Sequence, residues 1–94
     1  MESRDVEDIE RFLTSVGQAS LYAYYNLSRE SSVEDREAAI KKRRAWAQGQ
    51  QSNPKFKGEA LFLIKQNALL RRALIEEPDS FEVVLDGSAG SRHL

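Results

Sequence analysis

Ninety-four residues, 31% charged and 40% hydrophobic, make one small domain at most, with too few residues for two cores and too much apolar content for a disordered chain. No stretch approaches the roughly 18 apolar residues of a membrane span, the first residues lack a signal-peptide layout, and the absence of cysteine removes disulfides and thiolate chemistry. The net charge of −1 hides net charges of −5, +8 and −4 over residues 1–35, 36–72 and 73–94 (eight acids against three bases, two against ten, five against one).

A cytosolic protein with no membrane contact is therefore expected. A basic centre between acidic ends either attracts an acidic partner or is neutralised by the chain's own ends.

In "VEDIERFLTSV" the residues Val6, Ile9, Leu13 and Val16 recur at spacings of three and four, with Phe12 alongside, which predicts an amphipathic helix. Asp5, Glu7, Asp8 and Glu10 crowd its first turns, where the helix dipole favours acids, and Gly17 supplies the stop. "ASLYAYYNLS" suits a strand by its tyrosines, but a lone strand between helices leaves its edge unpaired, so a short helix is predicted.

Ser31 and Ser32, each with an acid three residues on, are the signature of a capping box, and a helix follows from near Ser32 to Gln48. Its apolar stripe is thin: Val33, Ile40 and Ala47, with Ala39 and Trp46 on one flank. Lys41, Lys42, Arg43 and Arg44 fan around the cylinder, and Arg43 and Arg44 border the stripe, where their stems can cover apolar surface while their heads reach water. Gly49 closes the helix, "QGQQSN" is loop, and Asn53-Pro54 reads as an N-cap with proline at the first helical position.

The segment from Pro54 to Glu77 is predicted as one helix, antiparallel to the basic one because the loop between them is short. Phe56, Ala60, Leu63, Leu70 and Leu74 share one face. Leu61, Ile64, Ala68 and Ile75 share a second, and Phe62, Leu69 and Ala73 a third. A helix apolar around most of its circumference is central to a domain or buried in a partner. Pro78 ends it. "SFEVVL" is an extended piece or one further helical turn, and residues 87–94 read as a flexible tail or linker.

"LYAYYNLSRESSVED" resembles the opening of J domains, in which a short aromatic helix leads through a small-residue turn to a capped basic helix. The basic second helix, the loop, a long apolar third helix opening on Lys-Phe-Lys and the "EEPDSF" ending extend the resemblance over roughly Ser20–Phe81. The resemblance implies an all-α fold: a J-like core at residues 20–81, an extra N-terminal helix at 1–17, and one domain over 1–86. It also implies kinship with co-chaperones that act on a DnaK-type ATPase through a His-Pro-Asp loop. Here that loop is "WAQGQQSNP", and no His, Asp or Glu occurs between Ala38 and Gly58, so the trigger is missing.

Nothing else supplies chemistry. The single histidine, His93, stands next to the C-terminus without a companion ligand. Glu34, Asp35 and Glu37 are explained by capping and helix solubility, "QGQQSN" lacks a phosphate-binding Gly-Lys-Ser/Thr, and Thr14 and Ser15 have no nearby base. No enzyme, cofactor or metal is expected.

The expected role is a non-catalytic interaction or scaffolding module, either part of a larger bacterial-type cytosolic protein or a small adaptor. The expected partner surface is Lys41, Lys42, Arg43, Arg44 and Trp46, facing a protein that is acidic, although Trp46 equally suits an anchor between the second and third helices. Phe62 and Leu69 are a second candidate surface, able to pair two copies as a homodimer unless the Val6–Val16 stripe covers them. Two alternatives remain: recruitment of a DnaK-type chaperone without stimulation, and binding of nucleic acid through the ten central bases. The second is disfavoured by a pI of about 5.8 and the lack of a stacking platform.

Overall fold

An amphipathic helix with an acidic start forms where the 3,4-spaced stripe lies: α1, Ser3–Val16, buries Ile9, Phe12 and Leu13. It ends in a Schellman motif. Gly17 adopts φ +72°, its N–H bonds to Thr14 O and that of Gln18 to Leu13 O, at 3.2 and 3.0 Å. The computed structural model describes residues 3–86; the suggested tail at 87–94 and His93 lie outside the described residues.

The aromatic segment is helical: α2, Leu21–Tyr25, is capped by Ser20, whose Oγ accepts from Ala23 N at 3.1 Å. A second Schellman turn closes it, with Asn26 at φ 59° and Leu27 N bonded to Tyr22 O at 2.8 Å. The asparagine tolerates the left-handed conformation that branched residues resist.

Helix α3, Val33–Gly49, starts where the capping signature placed it, with Ser32 Oγ accepting from Asp35 N at 3.0 Å. Its inward stripe is not the expected one. Ile40 and Ala47 are buried, but Val33 is 54% exposed and Arg36 takes the inner position at its end of the helix.

The segment from Pro54 onward departs from the single helix expected. Asn53 does not cap it: its Oδ1 accepts from Lys55 N at 3.0 Å, forming a local turn, and α4 begins at Lys57 and runs to Lys65. Gln66, at φ −103° and ψ 24°, interrupts the helix before α5, Asn67–Arg71, and a π-helical turn, Arg72–Glu76, completes the run. In that turn Glu77 N bonds to Arg72 O at 2.7 Å, while the carbonyl of Leu74 accepts from the buried Arg36 guanidinium. Glu77 leaves the helical region before Pro78 (φ −137°, ψ 52°), in keeping with the pre-proline clash that disfavours helical backbone there. A 3₁₀ turn, Pro78–Phe81, and α6, Glu82–Leu85, resolve the "SFEVVL" alternative in favour of helix.

The chain is an all-α domain, and the described residues contain no strand. Across the central pair Trp46 meets Phe56, Arg43 meets Glu59, Glu37 meets Arg71 and Arg36 reaches Leu74, so numbers fall on α3 as they rise on its neighbour. The pair is antiparallel. Helix α1 lies against α4 and α6, with Phe12 stacked on Phe62 (centroids 4.2 Å, planes 9° apart) and edge-on to Tyr24 at 5.2 Å. No described helix is long and apolar enough to cross a membrane.

Because Phe12 covers Phe62 and touches Tyr24, Phe12→Ala is expected to lower stability by about 3 kcal/mol in urea melts, and removal of residues 1–17 to cause aggregation or a lower Tm. An unchanged, soluble monomer after the deletion contradicts this packing.

Candidate interaction face

Four consecutive bases on one helix cannot all face one way, since each step turns the side chain by about 100°. The structure sorts them. Arg43 points toward the core and is half-buried, while Lys41, Lys42 and Arg44 are exposed and form no ion pair or side-chain hydrogen bond among the described residues.

Arg43 pins three helices. Its Nε donates to Tyr24 Oη and its Nη2 to Glu59 Oε2, each at 3.0 Å, while Tyr24 Oη donates to the same carboxylate oxygen at 2.5 Å. The guanidinium lies 4.2 Å from the Trp46 ring centroid and 5.0 Å from that of Tyr24. Burial works against its charge, but hydrogen bonds and attraction from Tyr24 and Glu59 outweigh it and raise its pKa. Trp46 is half-buried, edge-on to Phe56 at 5.3 Å, and so anchors α3 to the segment leading into α4.

Of the expected partner-facing residues, Lys41, Lys42 and Arg44 thus present free cations, whereas Arg43 and Trp46 are engaged internally. Leu69 is 6% exposed and belongs to the core, and Phe62 lies under Phe12, so neither forms an open apolar patch. Arg36, Tyr24 and Glu59 escaped sequence reasoning. The signal was present: Arg36, Ile40, Arg43 and Ala47 alternate spacings of four and three, a better inward stripe than one through Val33, and Glu59 is an isolated acid on an apolar helix.

Two grooves flank the exposed ridge of α3. One, of about 430 Å³, runs between α3 and α5, with Glu37, Lys41, Arg44, Ala45 and Gln48 on one wall and Asn67 and Arg71 on the other. Arg71 pairs with Glu37 at 3.2 Å, leaving Lys41 and Arg44 without a compensating charge among the described residues. The second groove, of about 530 Å³, lies between α2 and α3 and is bounded by Tyr25, Ala38, Ala39, Lys42 and Trp46.

In the loop after α3 the amide side chains bond locally: Gln51 Nε2 donates to Gln48 O at 3.2 Å and Asn53 Nδ2 to Gln50 Oε1 at 3.0 Å. No group of three or more metal-ligating side chains occurs among the described residues. Comparison with protein-family models, with curated proteins and with solved structures returned no match.

Burial raises the pKa of Tyr24, helped by its hydrogen bond to Glu59 and opposed by Arg43; burial and neighbouring Tyr24 raise that of Tyr25, whose Oη is buried with no partner among the described residues. Both groups hold their protons more tightly folded than unfolded. Their contribution to stability is therefore complete below the unfolded value of about 10 and is lost as pH rises beyond it. Melts from pH 8 to 12 should show this decline, and Tyr24→Phe combined with Tyr25→Phe should flatten it. An equally steep decline in the double variant contradicts the assignment.

Proposed function

We propose that this chain is a non-catalytic protein-interaction module on a J-like helical plan, and that it docks an acidic partner segment along the groove between α3 and α5. The observation that carries the reading is the division of the basic run, in which Lys41 and Arg44 have no carboxylate partner among the described residues and stand on one groove wall facing Arg71. Unpaired cations left in water gain little for the fold, so their concentration beside a groove favours an external anion. A protein carboxylate surface suits them better than nucleic acid, because acidic α1 and the Glu82–Asp86 region give the domain no continuous basic stripe.

The J-like plan is supported by the order of elements: short aromatic helix, capped basic helix, loop, antiparallel apolar helix. Where a working co-chaperone carries His-Pro-Asp, the loop here carries amides, and the proposed role is accordingly recruitment and scaffolding without stimulation of an ATPase.

The test compares the natural domain with Lys41→Glu/Arg44→Glu in pull-downs with partner identification, alongside circular dichroism. Both side chains are exposed and unpaired among the described residues, so the variant should keep its helix content and melting temperature. It should lose the retained acidic protein by about tenfold or more. Equal retention by a folded variant contradicts docking through this groove.

A further inference from the structure

The other flank of α3 is complementary to itself. Helix α3 is divided by charge, with Glu34, Asp35 and Glu37 in its first half and Lys41 to Arg44 in its second. Asp35 and Lys42 stand seven residues apart, two turns along the same side and separated by about 10 Å of helix axis. Both are exposed, and neither side chain has an ion pair or hydrogen bond among the described residues. Between them lie Ala38 and Ala39.

We infer that this flank is the seam of a homodimer in which α3 packs antiparallel against α3 of a second copy. The midpoint between Asp35 and Lys42 coincides with the midpoint between the two alanines. A twofold axis through that point therefore sets Asp35 against Lys42 of the second copy and Lys42 against its Asp35, with the alanine pairs crossing at the centre. This reciprocity is what a closed twofold interface requires. A parallel arrangement in register sets acid against acid and base against base, so the charges also fix the orientation.

The alanines let two helix axes approach to about 8 Å, and the groove bounded by Tyr25 and Trp46 receives the flanking ridge of the incoming helix. A purely acidic or purely basic partner leaves one end of this flank opposed by like charge. A second copy satisfies both ends. The seam extends along at most four to five turns, roughly 25 Å, so the dimer is a weak one and its charge pairs make it salt-sensitive. It uses a different side of α3 from Lys41 and Arg44, so it stands independently of the acidic-partner reading and leaves one docking groove open on each copy.

Sedimentation velocity from about 10 µM to about 1 mM at low salt tests the inference, using the natural chain, Asp35→Lys and Lys42→Asp, with far-UV circular dichroism on each. The natural chain should shift from monomer to dimer with concentration. Each single variant should weaken dimerisation at least tenfold, and an equimolar mixture of the two should restore it, because their charges are again complementary. If Asp35→Lys loses helix by removing an acid from the first turn, Ala38→Arg replaces it, since a bulky cation on the axis must also dissociate the dimer. A monomeric natural chain throughout, or dimers indifferent to Lys42→Asp, overturns the inference. Failure of the mixture to restore association when both charge variants are folded also overturns it.

Discussion

One buried guanidinium holds the domain together. Arg36 is 7% exposed and has no carboxylate partner among the described residues; four backbone carbonyls surround it instead. Its Nε donates to Ser31 O at 3.1 Å, its Nη1 to Leu74 O at 2.9 Å, and its Nη2 to Ser28 O and Arg29 O at 3.3 and 2.9 Å. The Tyr22 ring lies 5.1 Å away. A charge taken out of water is tolerated only where its donors are met, and five N–H donors in a rigid fork can meet several carbonyls at once where an ammonium cannot. The α2–α3 turn supplies three of these carbonyls, those of Ser28, Arg29 and Ser31, and the π-helical turn supplies the fourth, that of Leu74. Arg36 thus ties the capped start of the basic helix to the far end of its antiparallel partner.

The remaining arginines repeat the device at the periphery. Arg29 forks onto Glu82, at 3.0 and 2.9 Å, and also pairs with Asp86, fastening the α2–α3 turn to α6. Arg72 reaches Asp5 at 3.1 Å and Glu77 at 3.5 Å, fastening α1 to the π-helical turn. These pairs all keep contact with water, the Arg29 pairs more than that of Arg72 with Asp5, and set geometry more than stability. They also account for part of the uneven charge of the chain, since an acid from each terminal region meets a base nearer the middle. What they leave over, on α3, is the charge available to partners.

Much of this was legible in sequence because it is local. The stripe of α1, its glycine stop and the serine cap of α3 each depend on neighbours a few residues apart, and the burial of Ala60, Leu63, Leu70 and Leu74 follows from one face of a periodic segment. The interruption at Gln66 and the π-helical turn were not legible, because the turn's free Leu74 carbonyl is satisfied by a residue 38 positions earlier. The inward role of Arg36 was missed for a related reason: arginine counts as polar in any hydrophobic pattern, although its long stem packs like an apolar side chain. Periodicity sets Arg43 at the border of the stripe, but with its head in water and not on Tyr24 and Glu59. Within the candidate face, the basic run identified the helix, but only the fold separated Lys41, Lys42 and Arg44 from Arg43.

That separation is the central claim, and a glutamine scan across the basic helix tests it most directly. Arg36, Lys41, Lys42, Arg43 and Arg44 are each replaced by Gln and unfolded in urea. Arg36→Gln should lose about 2–4 kcal/mol, because buried carbonyls lose their charged donor, and Arg43→Gln about 1 kcal/mol, from lost stacking and hydrogen bonds. Lys41→Gln, Lys42→Gln and Arg44→Gln should each stay within about 0.5 kcal/mol of the natural chain. Comparable losses at all five positions, or a stability indifferent to Arg36, would contradict the division of the basic helix into residues that build the fold and residues that are left to bind.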